Sequence, residues 1–236
     1  MTPDRELIQA LTQSVLPDGI AVAASDPTER PEAVHKDEAG AVAVAVPARQ
    51  IEFLAGRAAA REAMIALGAR PEPVPMGPDR APIWPRGLTG SISHTADACV
   101  AAVGNSDDWA GIGVDLETAA PLERGLEHEI CTTAERAWLD SEDPASRGLL
   151  ARLIFSAKEA VFKAQYPLSR ALFGFEVIEL RIEREDSRFE ATFQSAQGPF
   201  DAGRILTGSY CHAAGVLVTA VAIGQSDGTV YAASRR

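Results

Sequence analysis

The chain has 236 residues, 46% of them hydrophobic, which is enough for one large domain or two small ones around a packed core. A formal net charge of −11 argues against nonspecific nucleic-acid binding, because that needs a basic surface to displace counterions; an anionic ligand would have to be met locally, by a basic cleft. No run of about 18 apolar residues predicts a transmembrane segment, the acidic N-terminus is unlike a signal peptide, and three scattered cysteines (Cys99, Cys131, Cys211) suit a reducing compartment, so cytoplasmic residence is the expectation.

In chain order, residues 3–16 place Leu7, Ile8, Leu11 and Val15 on one face of an amphipathic helix, which Pro17, Asp18 and Gly19 end. A strand is predicted near 20–24, and a second, buried one in the continuous apolar run AVAVAV at 41–46. Residues 49–67 read as a helix with Ile51, Leu54, Ala58 and Ile65 on one side and Gly68 as its stop. Gly56 inside it costs about 1 kcal/mol relative to alanine, and is either simply tolerated or marks a close backbone approach. The proline-rich stretch 71–87 is a loop leading to two strands, GSISHT and ACVAAVG, that turn near Ala96 and Asp97. The polar NSDD at 105–108 divides the chain into an N-terminal half, 1–106, and a C-terminal half, 107–236.

The second half opens with a strand, GIGVDLE. Thr132 and Glu135 have capping-box spacing, and Asp143 followed by Pro144 starts a longer helix to about residue 165, with Pro167 as the stop. The remainder (FEVIELRIE, RFEATFQ, GVLVTAVAI) reads as short strands in antiparallel hairpins.

Two of these elements carry chemistry. On the GIGVDLE strand Ile112, Val114 and Leu116 point one way and Asp115 and Glu117 the other. Two carboxylates side by side suit a hard cation such as Mg²⁺, although acidic residues also alternate on plain solvated strands. On the long helix Leu149, Leu150, Leu153, Ile154, Ala157, Ala160 and Val161 form an apolar stripe, with Arg152, Ser156, Glu159 and Lys163 opposite and Lys158 off to the side. Glu159 and Lys163 are spaced for a surface ion pair as well as for a site. Phe155 and Phe162 lie off the stripe, aromatics that a ligand or partner would cover. Only three of the 22 basic side chains are lysines, and two of them sit in this one segment, FSAKEAVFKA, at 155–164. His94 reads either as a histidine satisfied by its surroundings or as a phosphate donor.

Taken together, GRAAAREAM at 56–64, WPRGLTGSISHT at 84–95, GVDLE at 113–117 and FSAKEAVFKA resemble the 4′-phosphopantetheinyl transferases, in the enterobactin-type and surfactin-type branch. The resemblance covers roughly residues 38–166. It implies an α+β fold of two pseudo-twofold halves, each a long helix on a small antiparallel sheet, with coenzyme A bound between them. It further implies that Asp115, Glu117 and Glu159 ligate Mg²⁺ at the coenzyme A pyrophosphate, that Lys163 contacts that pyrophosphate, and that Ser93 and His94 hold the 3′-phosphoadenosine end with Arg49, Arg57 and Arg80. Phe155 stands where relatives often carry tryptophan.

The implied reaction is transfer of 4′-phosphopantetheine to a serine of an apo acyl-carrier or peptidyl-carrier protein, releasing adenosine 3′,5′-bisphosphate, with Glu159 as the candidate base and Lys163 neutralising charge. A monomer suffices for it. The alternatives are a non-catalytic coenzyme A or nucleotide-binding module and a metal-dependent phosphohydrolase. With Asp115 taken as an exposed carboxylate, Asp115→Ala is expected to abolish transfer with little loss of fold.

Overall fold

The computed structural model describes residues 4–32, 34–225 and 230–231, and is an α+β fold with two antiparallel sheets. Helix α1 (Arg5–Ser14) is capped by the Asp4 carboxylate, which accepts from the Glu6 amide; residue 3, the expected start of the helix, lies outside the described residues. It is followed by β1 (Ile20–Ser25), a one-turn α2 (Lys36–Ala39) and the twenty-residue α3 (Pro47–Ala66). Strands β2 (Leu88–His94) and β3 (Cys99–Asn105) complete the first sheet, in the order β1-β3-β2. Ala59, Ala60, Ala63 and Met64 of α3 pack on this sheet, against Ala101 and Val103 of β3, in a core cluster made mostly of small side chains.

The turn at 105–108 leads directly into β4 (Trp109–Thr118). Two short helices follow, α4 (Glu127–Ile130) and α5 (Thr133–Ser141), the second opened by the predicted capping box: Thr132 accepts from the Glu135 amide while Glu135 accepts from the Thr132 amide. Asp143 caps α6 (Pro144–Ser169), with Pro144 in the first turn as predicted. Strands β5 (Ile178–Glu183), β6 (Arg188–Phe193), β7 (Ile205–Ala213), β8 (Val216–Gly224) and β9 (Val230–Tyr231) build a second sheet in the order β4-β8-β7-β6-β5, with β9 on β8.

Several expectations are corrected. The run 41–46 is no strand: Gly40–Val42 is a 3₁₀ turn continuing α2, and only Val42 of its valines is buried, against Phe53 and Leu54. With α2 before it and Pro47 opening α3 after it, the run has no room for a strand, and Val44 and Val46 face solvent. Pro167 does not end α6, which runs on to Ser169; the stop is Arg170 in the left-handed region, φ 53°. Strand β7 is an addition to the predicted strands. Gly56 is a close approach, since a β-carbon there would lie 2.9 Å from Ile92 Cγ2, where β2 crosses α3.

The two sheets meet at their edges. Ser91 and Ser93 on β2 accept hydrogen bonds from the β4 amides of Val114 (3.0 Å) and Leu116 (3.2 Å), so serine hydroxyls stand in for a backbone ladder. On one face of this seam Val22, Val100 and Ala102 of the first sheet share a buried cluster with Ile112, Val114, Leu116 and Val218 of the second, beneath Ile8 of α1.

Candidate active site

The site is laid down by the alternation along β4. Ile112, Val114 and Leu116 enter the shared core, while Gly111, Gly113, Asp115 and Glu117 face α6. A β-carbon on Gly111 would overlap the Ala164 carbonyl oxygen, and one on Gly113 the Ala160 carbonyl oxygen. The missing side chains let the α6 backbone lie against β4, and the carboxylates that follow then meet Arg152, Ser156 and Lys163, with Glu159 near enough to feel the charge of Asp115.

Asp115 is not the exposed carboxylate expected from the alternation; it is 4% exposed. Its Oδ1 accepts from Lys163 Nζ (2.7 Å) and Ser93 Oγ (3.0 Å), and its Oδ2 from Ser156 Oγ (2.8 Å). Thr219 of β8 donates to the Ser156 carbonyl (2.9 Å) and lies 2.9 Å from its hydroxyl, which fixes Ser156 in turn. Lys163 also donates to Ser93 Oγ and to the Val114 carbonyl, each at 3.1 Å. Glu117 accepts from Arg152 Nη1 (3.0 Å), whose Nε is anchored on the Ala120 carbonyl (3.2 Å). Glu159 is half-buried and makes no hydrogen bond or ion pair among the described residues.

The electrostatics follow from this crowding. Burial pushes Glu117 above the usual carboxylate range, Asp115's charge adds to the rise, and Arg152 opposes it. Burial likewise raises Glu159, with Lys163 pulling it back and Asp115 pushing it further. Carboxylates raised by burial and by a neighbour's charge are the donor type that a hard, oxygen-seeking cation relieves, so Asp115, Glu117 and Glu159 suit Mg²⁺ in donor chemistry, though not in their present placement. They are not drawn into one ligand cluster: among the described residues no group of three His, Cys, Asp or Glu side chains is close enough to hold a metal, because Asp115 turns to Lys163 and Glu117 to Arg152.

Beside Lys163 opens a cleft of about 680 Å³, walled by α3, the proline-rich loop, β2 and the end of α6. It gathers the predicted Arg49, Arg57, Arg80, His94 and Lys163, with apolar walls that include Phe53, Ile83 and Phe162. His94 Nδ1 lies 2.6 Å from Glu52 and its Nε2 3.0 Å from Arg49 Nη1. Burial lowers its pKa, and Arg49 and Lys163 lower it further against the pull of Glu52. Arg57 is buried, with its guanidinium 3.9 Å above the Phe53 ring and Nε on the Val74 carbonyl (2.9 Å); desolvation brings its pKa down to about 10. Arg61, one turn further along α3, makes a buried two-oxygen contact with Glu38.

Ser93 and Phe155 are not among the cleft's walls. Ser93 serves the β2–β4 seam and Asp115, and Phe155 packs on Phe175 with ring centroids 5.7 Å apart. Phe162 is covered by Tyr166 and Phe173, so the aromatics beside the polar face of α6 are covered largely by the chain itself. Lys158, the other lysine of the segment, is 2% exposed and spends its ammonium on Glu135 (2.8 Å) and the carbonyls of Ile130 (2.8 Å) and Phe175 (2.9 Å). Sequence reasoning missed Arg152's hold on Glu117, and Asp79, Tyr166 and Arg170 at the cleft wall. The alternate glycines of β4 are the signal that could have placed the α6 polar face inside.

Fold and site together define an α+β protein with a cationic cleft at the junction of two sheets, ending beside the carboxylates of β4 and α6. Residues 37–104 match the family model of the 4′-phosphopantetheinyl transferase N-terminal domain, and residues 111–214 that of the 4′-phosphopantetheinyl transferase superfamily. The chain is 36% identical over 197 residues to 4′-phosphopantetheinyl transferase Svp of Streptomyces mobaraensis, covering 82% of this chain and 80% of that protein. It is 34% identical over 137 residues to 4′-phosphopantetheinyl transferase Npt of Nocardia iowensis (57% of this chain, 61% of that one). To enterobactin synthase component D of Salmonella typhimurium it is 45% identical over 69 residues, 29% of this chain and 27% of that protein. The chain belongs to the 4′-phosphopantetheinyl transferase superfamily.

Proposed function

We propose that this protein transfers 4′-phosphopantetheine from coenzyme A to a serine of an apo acyl-carrier or peptidyl-carrier protein, with the N-terminal half, 1–106, contributing the 3′-phosphoadenosine contacts and the C-terminal half, 107–236, the reacting centre. The observation that carries this reading is the placement of Lys163 where the cationic cleft runs into the carboxylates of β4 and α6. Coenzyme A is a polyanion with one charged group at its 3′-phosphate and a second at its pyrophosphate. Arg49, Arg80 and His94 serve the first and Lys163 the second, while Arg57, already turned to Val74 and Phe53, shapes the wall and lends its charge.

In the reaction the serine oxygen forms a bond to the β-phosphorus as the bond to the bridging oxygen breaks, so adenosine 3′,5′-bisphosphate carries away the electron pair. Lys163 neutralises charge that builds on the phosphoryl oxygens. Glu159, one turn from Lys163 and without a hydrogen bond or ion pair among the described residues, accepts the serine proton, directly or through a water. Asp115, Glu117 and Glu159 would hold Mg²⁺, which when bound supplies Lewis-acid stabilisation of the pyrophosphate. Ser156 and Ser93 keep Asp115 in one orientation.

The test is to incubate the protein with coenzyme A, Mg²⁺ and apo carrier proteins of several kinds and to weigh the carriers by mass spectrometry. One phosphopantetheine added per carrier is the expected result. Coenzyme A cleaved without a carrier would favour a phosphohydrolase, and coenzyme A bound but unchanged on every carrier a binding module.

A further inference from the structure

The proline-rich loop does more than wall the cleft. Its tip is a tight turn in which the Gly77 amide donates to the Ala81 carbonyl (2.8 Å), the Arg80 amide to the Gly77 carbonyl (3.0 Å) and the Ala81 amide to Asp79 Oδ1 (3.2 Å). The turn forces Arg80 into the left-handed region at φ 68°, strained for a residue with a β-carbon. The second oxygen of Asp79 reaches across to α6, accepting from the Tyr166 hydroxyl (2.8 Å) and from Arg170 Nη1 (3.2 Å). Tyr166 is itself held by stacking on Phe162, centroids 5.6 Å apart, and the Arg170 guanidinium lies 5.6 Å from the Tyr166 ring centre. One carboxylate thus closes the turn with one oxygen and ties it to the far half of the chain with the other. Next to it, Arg80 lines the cleft, exposed and with no side-chain hydrogen bond or ion pair among the described residues.

We propose that Tyr166 and Arg170, acting through Asp79, are positioning residues that hold the strained loop so that Arg80 meets the phosphate groups of the ligand in the cleft. A strained turn relaxes unless its surroundings over-determine it, and these two donors tie Asp79, and with it the turn, to the end of α6. The proposal rests on the reading of the cleft as a coenzyme A site.

The experiment is titration of coenzyme A into the full chain by calorimetry, for the wild type, Tyr166→Phe, Arg80→Ala and the double variant, with KM and kcat for transfer measured alongside. Tyr166→Phe keeps the ring and its stacking and removes only the hydroxyl. It is expected to weaken coenzyme A binding by on the order of tenfold, the loss of one hydrogen bond to a charged group, and to raise KM more than it lowers kcat. Arg80→Ala is expected to weaken binding as well, and the double variant to bind no more weakly than Arg80→Ala alone. Asp79→Ala, at an exposed loop position, should repeat the Tyr166→Phe pattern. Wild-type affinity in both Tyr166→Phe and Asp79→Ala, or a Tyr166→Phe loss that adds in full to that of Arg80→Ala, would overturn the positioning role. Failure of the wild type to bind coenzyme A at all would instead overturn the reading of the cleft.

Discussion

Under the proposed function Asp115 has two duties, one in the reaction and one in the fold. Its three hydrogen-bond donors come from β2 and α6, so the carboxylate joins both halves of the chain. Replacing it takes the charged acceptor from Lys163, leaving it the Ser93 hydroxyl and the Val114 carbonyl, and leaves the buried Ser156 hydroxyl only Thr219. Asp115→Ala is therefore expected to lose transfer and also on the order of 2–3 kcal/mol of stability, the scale of hydrogen bonds to a charged group, read by urea unfolding. An unchanged midpoint would return Asp115 to a carboxylate with no structural duty. That simpler expectation comes from the alternation of β4, which tells which residues share a face but not what covers it. Glu117 and Glu159 differ in kind from Asp115: one leans on Arg152, the other is unpartnered among the described residues, and burial raises the pKa of both.

At the scale of elements, α6 lying on β4 makes the site, and its two lysines divide the labour. Lys163 faces the cleft. Lys158 points the other way, into a buried knot where Glu135 accepts from it and from the amides of Thr132 and Leu180, tying α5, α6 and β5 together. Burial lowers the pKa of Lys158 while Glu135 holds it up, and the balance leaves a charge that needs its partner. Lys158→Ala should cost about 3–5 kcal/mol by abandoning Glu135 in the interior, measured as a lowered unfolding midpoint. A midpoint within error of wild type would show that the pair contributes nothing. Much of this level is legible in the sequence: both caps, the long helices and the β4 alternation are written in short-range chemistry. Three features are not. The 41–46 run carries strand-like composition but has no partner edge to pair with, β7 follows a stretch rich in turn residues, and Pro167 falls in the last turn of α6, where the helix continues two residues past it.

At the scale of the whole molecule, the seam between the sheets decides how the site is assembled. Serine hydroxyls on β2 bond the β4 edge, and a shared apolar cluster fills one face beneath α1, so the sheet that lines the cationic cleft is joined directly to the strand that carries two of the carboxylates. No helix among the described residues is long and apolar enough to cross a membrane. The motifs of both halves can be read in the sequence because each is local. Their meeting cannot, because it depends on contacts such as Ser93 to Asp115, 22 residues apart, and Tyr166 to Asp79, 87 apart.

The central claim is that this junction couples release of adenosine 3′,5′-bisphosphate to modification of a carrier serine, with Glu159 taking the proton. The most direct test quantifies the bisphosphate and the holo carrier in the same reaction, for the wild type and for Glu159→Gln. The account predicts equal amounts of the two products from the wild type, none of either without an apo carrier, and a loss of both by on the order of a hundredfold or more in Glu159→Gln. Bisphosphate formed without a carrier, or wild-type turnover in Glu159→Gln, would contradict it.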